Sequence, residues 1–195
     1  KQMLAEADAA RRAIDDLDQE IGGRLSLATS HHIGLHHLPP LLRRFSALHP
    51  RAALDIRFVD SEQAYAQVLQ GDAEVALTTL GPTQPPLRST PIWDDPLHVV
   101  VAPDHPLARL KRIEPQRLAK EIFLLREPGS GTRAAMERFL SEHGVVPQRS
   151  VEMTSNETIK QAVMAGMGIA FISAHTVASE VETGRLAILD VLGMP

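Results

Sequence analysis

The densest run of chemically capable side chains is Thr29-Ser30-His31-His32-Ile33-Gly34-Leu35-His36-His37, which holds four of the nine histidines. His32 and His36 stand four residues apart, a spacing that puts two imidazoles on one helix face, as in a metal-binding pair. No third ligand stands nearby and no HExxH pattern occurs. Exposed or polar-packed histidines are therefore the plainer account, and no metal is assigned. Anion binding is a better use of the segment. Backbone N–H groups at a helix N-terminus attract negative charge, Ser30 adds a hydroxyl, and a protonated His31 or His32 adds positive charge at mildly acid pH. An ordinary N-cap role for Ser30 is the competing explanation.

A counterpart stands at Pro128-Gly129-Ser130-Gly131-Thr132-Arg133. Its glycines let the backbone approach a ligand, Ser130 and Thr132 offer hydroxyls, and Arg133 supplies a fixed positive charge. The spacing is neither a P-loop nor a GxSxG elbow, and a simple capped turn competes here too. Further polar groups fall where strands should end or helices begin: Ser61, Thr78, Thr79 and Asn156. Such a set suits a small, polar, anionic ligand. It does not make a catalytic apparatus. Asp94-Asp95 beside Trp93 reads as a solvated loop, and no Ser/His/Asp grouping can be assembled from the spacing. No catalytic residue and no cofactor is assigned.

The elements that must carry these groups alternate between strand and helix. Leu25, Leu27 and Thr29 alternate as a strand, Leu35 to Leu48 repeats at helical spacing, and Leu54, Ile56 and Phe58 alternate again. Ala64 to Leu69 marks a short helix closed by Gly71, and Val75 to Leu77 a third strand. This is a βαβαβ unit, for which a parallel sheet with right-handed crossovers follows. Pro82, Pro85 and Pro86 interrupt the pattern, and strand-like sequence resumes at Leu97 to Ala102. The second half predicts strands at Ile122–Leu125, Val151–Met153, Ile169–Ile172 and Leu186–Leu189. It predicts helices at Thr132–His143 and from the capping-box-like Thr154-Ser155-Asn156-Glu157 through Ala165. Two α/β halves predict a ligand cleft at the carboxyl ends of their strands.

The first 21 residues differ. Met3, Ala7, Ala10, Ile14, Leu17 and Ile21 step by four and three, the seam of a short dimerising coiled coil or the face of an ordinary amphipathic helix lying on its own domain, and Gly22-Gly23 closes it. The sequence as a whole has 195 residues, 44% of them apolar, enough for a packed core in one or two domains. With 20 basic and 24 acidic residues the formal charge is −4, which disfavours direct nucleic-acid binding by these residues. There is no cysteine, so disulfides, thiolate metal sites and a Cys nucleophile are excluded. No apolar run approaches the roughly 20 residues of a membrane span. A charged start and a first residue other than Met read as a fragment of a longer, cytoplasmic protein.

Several segments form a series: Arg11-Arg12-Ala13-Ile14-Asp15-Asp16-Leu17, Gly23-Arg24-Leu25-Ser26-Leu27-Ala28-Thr29-Ser30, Leu38-Pro39-Pro40-Leu41-Leu42-Arg43-Arg44-Phe45, Leu69-Gln70-Gly71-Asp72, Pro103-Asp104-His105-Pro106-Leu107-Ala108 and Ala165-Gly166-Met167-Gly168-Ile169-Ala170. In their order and spacing they together resemble the regulatory half of LysR-type transcriptional regulators. The resemblance implies an α/β, two-lobed effector domain of periplasmic-binding-protein-like type 2 fold, preceded by a dimerisation helix. It implies a linker helix at 1–22, lobe I at 23–98, lobe II at 99–190, and a return toward lobe I from 191. It further implies a small-molecule effector, a homodimer or homotetramer, and DNA contact through an N-terminal winged helix-turn-helix absent from this chain. Ser30, His31, His32, Ser61, Thr78, Thr79 and Ser130 to Arg133 carry over as effector residues. His32 departs from the family, which usually has a small hydroxyl residue there. Two other classes compete. A transporter's solute-binding protein would carry an export signal and no coiled-coil start. An enzyme would need a general base with a partner.

Overall fold

A computed structural model describes residues 21–79 and 86–194. The expected linker helix, except Ile21 and Gly22, lies outside the described residues, as do Pro82, Pro85 and Pro195. The chain divides into two compact units. One comprises residues up to Val59 with Gln63–Leu77, and the other Asp60–Glu62 with the chain from Thr78 onward.

In the first unit, β1 (Gly23–Thr29) is followed by α1 (His31–His36), α2 (Leu38–Leu48), β2 (Ala52–Phe58), α3 (Ser61–Gln70) and β3 (Val75–Leu77). The sheet order is β2-β1-β3, all parallel, with Thr29 opposite both Phe58 and Leu77. The predicted βαβαβ order therefore holds. The single helix predicted over Leu35–Leu48 does not, because it is two helices broken at His37. Pro39 and Pro40 lack the N–H groups that would bond back to Leu35 and His36, so the ladder cannot run through, and proline instead starts α2. One core cluster here is made of small residues, Ala28, Ala64 and Ala73, packed by Val59, Val68 and Ala76, and Leu27, Ile33 and Leu38 are buried as well. Gly34 lets α1 lie close to the sheet, since a Cβ there would sit 2.2 Å from the Phe58 ring and 3.0 Å from the Thr29 methyl.

In the second unit, β4 (Leu97–Val101), β5 (Ile122–Leu125), α4 (Gly131–Glu142), β6 (Arg149–Glu152), α5 (Asn156–Met164), β7 (Ala170–Ser173), α6 (Ala174–Glu182) and β8 (Ala187–Ile188) follow in order. β4 pairs antiparallel with β7 and β8, and β5 pairs parallel with β6. Bridges at Phe123–Ile169 and Ile113–Val191 extend the pairing, with Leu124 N–H donating to Ile169 and Ile169 N–H to Ile122. The alternation of β4 sends its side chains to two cores. Val99 and Val101 join Phe123, Met136 and Leu140 under α4, while Val100 joins Leu124, Ile159, Val163 and Val177 under α5 and α6. Helix α6 was not predicted. Its buried face contains Thr176, Val177 and Glu180, so polar side chains interrupt the apolar period that would have revealed it.

Candidate functional site

In the first unit, the parallel register brings the carboxyl ends of β1, β2 and β3 to one edge, and Ser30 stands directly past it. Ser30 N–H donates to Leu77 O (3.1 Å), and Gly34 N–H donates to Ser30 O (2.9 Å), which fixes the turn into α1. The Ser30 side chain makes no cap hydrogen bond. Its Oγ instead lies 3.5 Å from Nδ1 of His32, and both residues are buried. A hydroxyl and an imidazole in this pairing can each turn donor or acceptor with the tautomer. His31 is exposed and its ring lies tilted on Phe58, centroids 5.9 Å apart. His32 and His36 do not share an open face, since His32 is buried and His36 is exposed.

In the second unit, Gly129 takes φ +86°, a turn that L side chains resist, and delivers Ser130 as the residue before α4. Ser130, Gly131 and Thr132 are all buried at this helix start, and the Ser130 side chain makes no cap bond. A Cβ at Gly131 would lie 3.0 Å from both Ser61 Oγ and Thr79 Cβ. The glycine thus permits a close approach that groups Ser61, Thr79 and Gly131, three residues the sequence singles out. Thr78 is half-buried beside Thr79. Ser61 is 4% exposed and its Oγ has no hydrogen-bond partner.

The charges around this helix start are arranged differently from the sequence expectation. Arg133 is not directed only at a ligand. Its guanidinium donates to Glu137 (2.8 Å), Glu152 (2.7 Å) and the Arg126 carbonyl (2.9 Å). The hydrogen bonds to Glu137 and Glu152 raise its pKa further above its ordinary value, so the charge is permanent and already matched by protein carboxylates. The more deeply placed cation is Arg126, 6% exposed, which the sequence reading passed over. Nε and Nη2 donate to the two carboxylate oxygens of Glu127 at 2.8 and 2.5 Å, and Nη1 donates to Asn156 Oδ1 at 2.9 Å. The available signal was a charge standing between the apolar strand Ile122–Leu125 and the glycine turn. Asn156, the first residue of α5, is 7% exposed, and its Nδ2 has no partner. Leaving a buried donor unmade costs about 1–3 kcal/mol, so a ligand acceptor at this atom would recover free energy.

Lys160, one turn further along α5, is also buried. Burial works to lower its pKa, but the carboxylates of Glu157 (2.8 Å) and Glu180 (3.1 Å) outweigh that and hold it above the ordinary lysine value. It ties α5 to α6.

Residues 18–195 match the family described as the LysR substrate binding domain. The HTH-type transcriptional regulator CbbR of Rhodospirillum rubrum is 39% identical over 193 residues, covering 99% of this chain and 63% of that protein. CbbR of Xanthobacter flavus is 47% identical over 160 residues, covering 80% of this chain and 48% of that protein. The chain thus spans less than two thirds of the length of the curated relatives it matches. The regulatory domain of CcmR from Synechocystis PCC6803, solved in complex with 2-PG, superposes with TM-score 0.81 at 35% identity over 89% of this chain and 83% of that one. The effector-binding domain of QuiR, in complex with shikimate, shares the fold at TM-score 0.78 and 18% identity, covering 90% of this chain and 83% of that one. The fold is accordingly the periplasmic-binding-protein-like type 2 fold of LysR regulatory domains, and a transporter's solute-binding protein is not favoured. Hydroxyls past parallel strand ends, a glycine-opened helix start and a match over 18–195 agree: the chain belongs to the LysR substrate-binding domain family, the effector-binding domain of LysR-type regulators.

Proposed function

We propose that this chain senses a small anionic metabolite for a DNA-binding regulator and does not transform it. Ser30, His31 and His32 are its effector-binding groups in the first unit. Ser61, Thr78, Thr79, Ser130, Gly131, Thr132 and Asn156, with Arg133, are those in the second. The effector's arrival controls transcription through an N-terminal winged helix-turn-helix outside this chain. The working unit is a homodimer or homotetramer in the cytoplasm, with no membrane partner. Among the described residues no helix is long and apolar enough to cross a membrane. The observation that carries the reading is the pair of buried polar atoms without partners, Ser61 Oγ and Asn156 Nδ2, in residues the sequence had already singled out.

The complex of CcmR with 2-PG makes 2-PG the first ligand to test. Calorimetry should find 2-PG or another small anion binding the wild-type protein, with affinity reduced by about tenfold or more in Ser30→Ala and Thr132→Ala, the loss of one hydrogen bond to a charged group. Undiminished affinity in both variants would move the ligand elsewhere.

A further inference from the structure

We infer that Arg126 is a positioning residue that turns the Asn156 amide so that its NH2 group, and not its carbonyl, is the buried group offered to the effector; the inference rests on the effector-site reading above. A guanidinium has donors only, so the atom of Asn156 that faces Nη1 at 2.9 Å must be the carbonyl oxygen. The guanidinium cannot swing away, because its other edge grips both oxygens of Glu127 at 2.8 and 2.5 Å. All three groups sit at one place in the fold: Arg126 and Glu127 follow β5, and Asn156 opens α5.

The consequence falls on Nδ2. It is shielded from solvent, in a residue more than nine-tenths buried, and has no acceptor. Flipping the amide to find one would aim NH2 at a guanidinium, which Arg126 forbids. An acceptor reaches Nδ2 only by displacing the protein atoms that now cover it. The group taken there is therefore an acceptor oxygen, such as a carboxylate, phosphate or carbonyl oxygen, and never a donor. Arg126 itself is not the anion's clamp, because its charge is already matched by Glu127. It acts through Asn156, and selectivity at this point is for acceptor over donor.

The test is Asn156→Asp. This variant keeps an acceptor for Arg126 and exchanges the lone donor for a second acceptor of the same shape. It should stay folded with an undiminished melting temperature, yet bind 2-PG about a hundredfold more weakly by calorimetry. Wild-type affinity for 2-PG in Asn156→Asp overturns the inference. Arg126→Lys should bind 2-PG better than Arg126→Gln, since lysine still donates to the carbonyl whereas glutamine can accept from a flipped amide. A readout independent of any ligand is the 15N side-chain NH2 pair of Asn156, identified by its loss in Asn156→Asp. In wild type it should be rigid, and in Arg126→Gln it should show increased motion. If wild type does not bind 2-PG or inorganic phosphate, the anionic-effector reading fails while the rigidity of this pair still reports on Arg126. An equally rigid pair in wild type and Arg126→Gln overturns the positioning role.

Discussion

Replacing Lys160 by Met should destabilise the domain by about 3 kcal/mol. The ammonium is buried against Glu180 Oε1 at 3.1 Å, Glu157 Oε2 at 2.8 Å and the Thr176 carbonyl at 3.5 Å. These contacts are not equivalent. The Glu157 side chain is half exposed and its pairing contributes about 0–1 kcal/mol. Glu180 is buried, so removing Lys160 strands its carboxylate, for which the penalty runs about 3–5 kcal/mol. The lower end applies because Arg185 still reaches Glu180 at 3.4 Å from a solvated position. For a chain of this size the loss corresponds to a melting temperature lower by about 6–12 °C. Urea denaturation and scanning calorimetry measure it directly. The double variant Lys160→Met with Glu180→Leu should recover most of the loss, since no buried charge is then left unpaired. The lysine's own contribution has a defined pH window. Its pKa is raised on folding, so the contribution is complete below the ordinary lysine pKa of 10.5 and disappears only as pH climbs through the higher folded value. Stability from this group is therefore flat near neutrality. A Lys160→Met loss under about 0.5 kcal/mol would refute the reasoning. A double variant no more stable than the single one would show that the loss is packing and not stranded charge.

Two glycines separate hard from soft contacts. A Cβ at Gly168 would meet the Ile122 backbone carbonyl at 2.2 Å, and one at Gly34 would meet the Phe58 ring at the same distance. Gly168→Ala should cost about 3 kcal/mol or more by denaturant titration, because the strand junction at Ile122 and Ile169 must part. Gly34→Ala should cost less, because the half-exposed Phe58 ring can swing aside, and the His31 ring contact is lost with it. Asp55 is partly exposed, and its hydrogen bond to Arg24 at 2.6 Å, with Arg57 nearby, holds its pKa below the ordinary carboxylate value. Its contribution is present above pH 3.8 and lost as pH falls through the lowered folded value. Asp55→Asn should therefore flatten acid unfolding in that window while leaving the neutral melting temperature nearly unchanged in high salt.

The first unit was legible because its strands are clean. Leu25, Leu27 and Thr29 alternate, Leu54, Ile56 and Phe58 alternate, and each gives way to a polar turn. Even there the helical spacing from Leu35 to Leu48 concealed a break, since hydrophobic period is blind to the missing N–H groups of Pro39 and Pro40, although the prolines themselves were in view. In the second unit the hidden element was α6, whose inward positions Thr176 and Glu180 are polar, Glu180 pairing with Lys160, and so carry no apolar mark. The same physics decides which buried polar groups are marked in the sequence and which are not. Ser30, Ser61, Ser130 and Asn156 were visible because hydroxyls and amides at strand ends have a local reason to be there. Arg133 was visible for the same reason, but a spacing argument cannot tell whether a cation is open to a ligand or already held. That depends on Glu137 one turn along the helix and on Glu152, nineteen residues away on another strand. Arg126 was passed over because a lone arginine beside a glutamate reads as solvated surface. Its burial follows only when β5 and the start of α5 are brought together, which places Asn156 within 2.9 Å of its guanidinium. Local sequence thus marks polar groups at strand ends and helix starts, whereas which of their donors remain uncommitted is decided by contacts across thirty residues, as between Arg126 and Asn156.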